Sequence, residues 1–335
     1  MQLALKSGKM PYGGTKIKGH LHVLSHPDRY CPMTDQLDIF NDLPGLDKAP
    51  TAKHAAPGVK HARVKLIHGD FLTRAPAVVE DGSVDAIVTS PPYNIGIGYS
   101  TYRDDLPRED YLAWTDRWAR EAKRCLAAKG SLFLNVGVRP KEPWAAWELA
   151  GIFRRHFALQ NVIHWIKSIS ISKRDVGNYP GITQDVTVGH YKPINSDRYV
   201  NDQHEYIFHL THTGEVELDR LAIGVPYQDA SNAGRWKKGG GGLHCRGNTW
   251  FVPYPTIKYR AKDRPHPASF PAALPERCLR LHGLVSIRRV MDPFMGLGST
   301  ALAAARLGLD VIGFDVDEAY LEVARNRLMA ENFEV

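Results

Sequence analysis

Two short apolar runs near the C-terminus, residues 289–291 and 310–314, flank a glycine-rich turn, Asp292-Pro293-Phe294-Met295-Gly296-Leu297-Gly298, and a helical stretch, residues 299–307. A strand that leaves through such a turn into a helix and returns as a second strand pairs with the first in parallel, because the crossover carries the chain back to its starting edge. That requires an α/β sheet with helices packed on it. The same rhythm runs upstream. After Pro107, the residues Leu112, Trp114, Trp118, Ala122, Cys125 and Leu126 recur at helical spacing, Gly130 stops that helix, and residues 131–136 read as the next strand. Residues 144–157 repeat a helical pattern, 160–167 and 204–210 are strands, and 318–329 form a final helix, with Pro275 suited to the first position of a helix before the glycine turn. The expected fold is a largely parallel, doubly wound sheet, with the tryptophans in its core.

Residues 84–88 read as a buried strand that runs into Thr89-Ser90-Pro91-Pro92-Tyr93-Asn94. Two consecutive prolines cannot continue it, since each removes an N–H from the ladder and fixes φ, so the chain leaves the sheet in a stiff turn carrying an aromatic. Ligands of open α/β sheets bind at the carboxyl ends of strands, which presents Ser90 and Tyr93 to a substrate. A glycine-rich turn between strand and helix allows close approach of a cofactor, and Asp315, at the end of the following strand, is placed to accept both hydroxyls of a ribose. The chain contains neither G-x-G-x-x-G nor G-x-x-x-x-G-K-[ST], which argues against NAD and nucleoside triphosphates.

Together these motifs resemble those of the amino-directed DNA methyltransferases that use S-adenosylmethionine, in the order where the catalytic motif precedes the cofactor motif. The resemblance runs from about Val64 to the C-terminus. It implies a Rossmann-like methyltransferase fold with an inserted DNA-recognition region, S-adenosylmethionine as cofactor, and double-stranded DNA as substrate. Asp292, Phe294, Gly296, Gly298, Ser299, Thr300 and Asp315 would hold the cofactor. Asp70, which could equally be a turn former or helix cap, and His266, which could equally be a turn histidine, match positions beside the cofactor in that family. Ser90 and the Pro91 carbonyl would accept the hydrogens of an exocyclic amino group, Pro92 would keep the turn rigid, and Tyr93 would stack on the extruded base. Serine before Pro-Pro-Tyr is commoner in N4-cytosine enzymes. The longer pattern of residues 89–99, 189–195 and 223–227 resembles solitary bacterial adenine methyltransferases, and the reading leans to N6-adenine. An RNA or protein-glutamine methyltransferase shares a similar turn, and a catalytically silent DNA-binding protein on the same fold is the alternative of another class.

The 335 residues, 43% of them hydrophobic, suffice for one large core with an inserted subdomain. Residues 1–62 read as an arm, either a partly disordered leader or a segment that packs on a partner subunit or on DNA. Residues 63–167 form the catalytic half, 168–263 the DNA-recognition region around the core strand 204–210, and 264–335 the cofactor half. Within 168–263, Lys192, Arg198, Arg235, Lys237, Lys238 and Arg246 are set among tyrosines and a run of four glycines, Gly239 to Gly242, a composition that suits phosphate contacts. The formal charge of +7 suits a polyanionic partner. Four dispersed cysteines, Cys31, Cys125, Cys245 and Cys278, support neither a zinc knuckle nor a disulfide scaffold, and no metal-ligand spacing occurs. A cytoplasmic protein is expected, and a homodimer, on the resemblance and on the apolar residues around Trp144 and Trp147.

Overall fold

The computed structural model describes residues 62–96, 101–189, 196–229, 242–253 and 269–335. In chain order the elements are β1 (Val64–His68), α1 (Phe71–Val78), β2 (Val84–Thr89), α2 (Arg108–Cys125), β3 (Leu126–Val136), α3 (Ala145–Phe153) and β4 (Ala158–Ile166). The middle of the chain adds β5 (Ser168–Ile171), α4 (Lys173–Val176), β6 (Val186–Gly189), β7 (His204–Thr211), β8 (Val225–Pro226), β9 (Leu243–His244) and β10 (Thr249–Phe251). The last part contributes α5 (Ala273–His282), β11 (Arg289–Asp292), α6 (Ser299–Arg306), β12 (Asp310–Asp315) and α7 (Glu318–Met329).

Eight strands form one sheet in the order β1-β12-β11-β2-β3-β7-β4-β10. Every neighbouring pair is parallel except those made by β7, which runs antiparallel to both β3 and β4. The strands are covered on both faces, which is why they read as nearly continuous apolar runs. Along β2 and β3 alternate residues divide between two cores. Val84, Ile87, Leu132 and Leu134 pack with residues of α1, α2 and α3, including Phe71, Trp118 and Phe153. Ala86, Val88 and Phe133 face the other way, against Leu274, Cys278, Leu302 and Leu321 of α5, α6 and α7.

From β2 the chain winds through α2 to β3 on one side. From β11, directly beside β2, it winds through α6 to β12 on the other. The strand order therefore reverses between β2 and β11, and at such a switch point the outgoing loops part and leave a crevice at the carboxyl edge. The Pro-Pro turn and the glycine turn flank that crevice. Among the described residues no helix is long and apolar enough to cross a membrane.

Local sequence misplaced two boundaries. Helix α2 ends at Cys125 and the strand begins at once, so Gly130 lies inside β3 instead of stopping the helix. Val84 pairs with Leu126 but Ala86 with Ser131, so β3 carries extra residues at an irregularity, and Gly130 has no Cβ where one would meet the Leu126 side chain at 2.7 Å. Pro275 is the third residue of α5, not the first. The first-turn N–H groups have no partner within a helix, so either position tolerates proline.

Candidate active site

Strand β11 ends in Asp292, which is 1% exposed. Its Oδ1 accepts hydrogen bonds from Thr89 Oγ1 at 2.6 Å and from the Phe294 backbone N–H at 3.0 Å. Burial pushes this carboxyl up to about 6, against the pull of hydrogen bonds from Thr89, Thr300 and the Phe294 backbone. Thr300 Oγ1 donates to the Val88 carbonyl at 3.1 Å. The glycine turn and the end of β2 are thus tied together by two buried side-chain bonds. Gly296 and Gly298 have φ of +49° and +76°, and a Cβ on Gly298 would lie 2.7 Å from that of Ala324. Only glycine lets α6 start so close to α7 in that conformation.

Asp315, at the end of β12, accepts from the Gly296 N–H at 2.7 Å through Oδ2 and from the Asp317 N–H at 2.9 Å through Oδ1. Each carboxylate oxygen keeps acceptor capacity after one such bond. Burial holds this carboxyl above the usual range. Phe294 packs on the ring of Trp118 at 5.1 Å and that of Trp114 at 5.5 Å, which fixes the turn against α2.

Between the two turns lies a cavity of about 320 Å³. Of the sequence-predicted residues, Asp70, Ser90, Pro91, Pro92, Tyr93, Phe294, Gly296, Ser299 and Asp315 line it. Asp70 occupies the N-cap position of α1, yet its side chain makes no capping bond. Ser299 Oγ donates to the Phe270 carbonyl at 2.8 Å. Asp292, Gly298 and Thr300 do not line the cavity but stand behind it, holding the turn in place. Sequence reasoning missed Phe270, Trp114, Met295, Leu297, Asp317 and Tyr320, which also form the walls. The signal for the last two was present: Asp317 caps α7 by accepting from the Ala319 N–H, and a cap directly after the ribose-type aspartate puts the first turn of that helix at the same edge.

The Pro-Pro turn is held from all sides. Tyr111 of α2 donates its hydroxyl to the Pro92 carbonyl at 2.8 Å. Asn94 adopts φ of +57°, and its side chain exchanges hydrogen bonds with both backbone groups of Leu106. Buried Asp104 accepts from the N–H groups of Asn94 and Ile95 at 2.7 and 3.0 Å. Ser90 Oγ lies 2.7 Å from the Tyr93 hydroxyl. That hydroxyl donates to Glu205 Oε2 at 3.2 Å, and Asn135 Nδ2 bonds it at 2.9 Å. Lys167 Nζ closes the group on Glu205 Oε1 at 3.1 Å. Asn135, Glu205 and Lys167 had no local signal in the sequence.

Lys192, Arg235, Lys237, Lys238 and His266 lie outside the described residues. Arg198 is exposed, its guanidinium 5.5 Å from the centre of the Tyr199 ring. Half-buried Arg246 donates from Nε to the Ile223 carbonyl at 2.9 Å. Neither arginine borders the cavity.

With this geometry in place, comparison with known proteins is informative. The N6/N4 methyltransferase family, described as DNA methylase, matches residues 84–326. The chain is 28% identical over 288 residues to the type II methyltransferase M.ScaI of Streptomyces caespitosus, across 82% of this chain and 84% of that one. It is 27% identical over 260 residues to the type II methyltransferase M.HpaI of Haemophilus parainfluenzae, across 76% and 70% of the two chains. The PvuII DNA methyltransferase, described as cytosine-N4-specific, has a solved structure that matches with a TM-score of 0.56 at 18% identity, over 82% of this chain and 89% of that one. At that identity the likeness is one of fold.

Proposed function

The chain belongs to the N6/N4 family of DNA methylases, and on that premise we propose that it transfers the methyl group to the exocyclic amino group of a base flipped out of double-stranded DNA, N6 of adenine in the first reading and N4 of cytosine in the second. It is an S-adenosylmethionine-dependent DNA amino-methyltransferase. The lean toward adenine is supported by the pattern of residues 89–99, 189–195 and 223–227, and the cytosine alternative by Ser90, whose type before Pro-Pro-Tyr is commoner in N4-cytosine enzymes. Ser90, Pro91, Pro92 and Tyr93, which bear on both readings, line the cavity, and residues 190–195 lie outside the described residues.

An exocyclic amino nitrogen is a poor nucleophile because its lone pair is delocalised into the ring. Acceptors that draw its hydrogens out of the ring plane favour the tetrahedral form in which it attacks. Ser90 Oγ and the Pro91 carbonyl are those acceptors in this reading, and the Tyr93 ring is the surface on which the extruded base stacks. Phe294, Gly296 and Asp315 would hold the cofactor, with Asp315 as an acceptor for its ribose, and the cofactor would supply an electrophilic sulfonium methyl group. Plasmid DNA incubated with methyl-labelled cofactor and digested to nucleosides should yield labelled N6-methyladenine. Labelled N4-methylcytosine instead would establish the cytosine reading, and an unlabelled digest would sink both.

The region 168–263 serves DNA recognition in this account. It is supported by its basic and tyrosine-rich composition and by the small hairpin-like pairs β5-β6 and β8-β9 that it adds outside the main sheet. Lys192, Arg198, Arg235, Lys237, Lys238 and Arg246 supply phosphate contacts. A second copy of the chain is assigned to the face carrying Trp144 and Trp147, which are 73% and 41% exposed. Sedimentation at micromolar concentration should show a dimer, and a monomer would remove that assignment.

A further inference from the structure

A serine hydroxyl can donate or accept, and the proposed role of Ser90 requires that it accept from the target amino group. We infer that Glu205, acting through the Tyr93 hydroxyl, fixes that polarity and receives the proton released on methyl transfer. The inference rests on the assignment of the Pro-Pro turn as the reacting site, and its test is arranged so that the two fail separately.

The hydrogens at this site leave little choice. Glu205 Oε1 takes the Lys167 ammonium at 3.1 Å, and Oε2 takes Asn135 Nδ2 at 2.6 Å and the Tyr93 hydroxyl at 3.2 Å. The Glu205 and Lys167 side chains are 12% and 21% exposed, so this pair is well shielded, and its negative partner is an acceptor alone. The Tyr93 hydroxyl has one hydrogen and three acceptors within reach, Ser90 Oγ at 2.7 Å, Glu205 Oε2 at 3.2 Å and the Asn135 carbonyl at 3.4 Å, and the carboxylate, as the strongest acceptor of the three, takes it. Its oxygen must then accept across the 2.7 Å contact with Ser90. The Ser90 hydrogen is thereby turned toward Tyr93, and a lone pair on Oγ is left for the substrate. Asn135 supports the same order: its Nδ2 has two hydrogens for three acceptors, Glu205 Oε2 at 2.6 Å, Tyr93 Oη at 2.9 Å and Ser90 Oγ at 3.3 Å, and accepts from none of them. The Asn135 amide oxygen is buried and has no partner among the described residues, so the side chain is held by its donor end.

The strand arrangement makes room for this contact at one further position. Gly137 follows β3, and a Cβ there would meet the Tyr93 ring at 2.9 Å and the Glu205 carboxyl carbon at 3.3 Å. Glycine lets the ring and the carboxylate approach over the backbone.

In the transfer itself, the amino nitrogen lone pair forms the new N–C bond while the S–C bond of the sulfonium breaks and its pair stays on sulfur as a neutral thioether. The nitrogen must then lose one proton. It passes to Ser90 Oγ as the serine hydrogen moves to Tyr93 and the tyrosine hydrogen to Glu205 Oε2, so that charge and protons balance with Glu205 neutral at the end. Glu205 touches neither substrate nor cofactor and is a positioning residue in this sense.

The test is single-turnover methylation at saturating DNA and cofactor for Glu205→Gln, Tyr93→Phe and the double variant, with equilibrium binding of S-adenosylmethionine measured on each. Gln keeps the shape of Glu205 but cannot take the proton, and Phe keeps the stacking ring but breaks the chain of hydroxyls. Each single change should lower the rate at least tenfold with cofactor affinity within about twofold of wild type, and the double variant should be no slower than the slower single variant. Losses that multiply, or a wild-type rate for either single variant, would overturn the relay. If Glu205→Gln does not fold, Tyr93→Phe decides alone by the same rate criterion. Ser90→Ala at the wild-type rate would instead overturn the turn assignment, whereas an impaired Ser90→Ala beside unimpaired Glu205→Gln and Tyr93→Phe would overturn the relay only.

Discussion

The two turns that face each other across the crevice are built on opposite plans. The glycine turn, Asp292 to Ser299, is built through its main chain: glycines with positive φ, a Gly296 N–H on Asp315, a Met295 N–H on the Phe314 carbonyl at 2.8 Å. Its partners lie within about one strand-helix-strand unit of sequence, and the family-type motif already contains them. The Pro-Pro turn is stiff along its backbone, but its side chains are oriented by Asn135 and Glu205, which come from strands 42 and 112 residues beyond Tyr93. A site made of backbone groups needs a particular local conformation. A site made of polarised side chains needs a neighbourhood.

The largest expected effect breaks the first plan directly. Gly298→Ala adds a Cβ that meets Ala324 at 2.7 Å in a left-handed conformation, and should cost roughly 2–5 kcal/mol of stability from backbone strain and overpacking combined. Denaturant unfolding is the measurement, and an unchanged midpoint would mean that the turn is not held by this close approach. Asp315→Ala should weaken S-adenosylmethionine binding by roughly 1–3 kcal/mol, because it removes the ribose acceptor and also releases the Gly296 and Asp317 N–H groups. Calorimetric affinity equal to wild type would remove Asp315 from the site.

On the other side of the crevice the same kind of loss should appear in rate and not in cofactor affinity. Tyr93→Ala removes a stacking surface worth about 1–3 kcal/mol per base, and Ser90→Ala removes one of two acceptors that matter most as the nitrogen becomes tetrahedral. Partial loss of the single-turnover rate is expected for Ser90→Ala, since the Pro91 carbonyl remains. If either variant lost cofactor affinity as strongly as Asp315→Ala does, the division between the two turns would not hold. DNA affinity should fall steeply with salt as counterions are released from phosphates, and a flat response would sink the role of the basic residues in 168–263.

The smallest effect is a control away from both turns. His209 is fully buried, bonded to Ser131 at 2.9 Å and Asn161 at 2.9 Å, and burial pushes it down to about 3. Its folded value lies below the ordinary 6.5, so the unfolded chain takes up the proton first, and stability from this residue is lost as pH falls from 6.5 toward about 3. Asp292 has the opposite sign: its carboxyl, raised from 3.8 to about 6, favours the folded state below that range and loses this contribution as pH rises through about 6. Between pH 6.5 and 4, wild type should therefore lose more stability than His209→Gln in parallel unfolding experiments. Equal pH dependence would show that His209 titrates normally.

Much of the molecule was decided by short-range pattern. Two turns that break strands, one by proline and one by glycine, and the helical and strand periods between them were enough to set a largely parallel α/β sheet and nine of the residues that line the cavity, because those signals act within a few residues. Boundaries were less legible where a strand could absorb extra residues, as at Gly130, or a proline was equally acceptable at several first-turn positions, as at Pro275. The direction of β7 could not be read at all. Residues 204–210 announce a strand, but only packing between β3 and β4 makes it antiparallel to both. Reversal brings the start of β7, not its end, to the carboxyl edge of its neighbours, and so it is Glu205 that meets Tyr93. Periodicity encodes which face of a strand is buried. Which end of it reaches the site depends on partners that are distant in the chain, and that was settled by the tertiary structure.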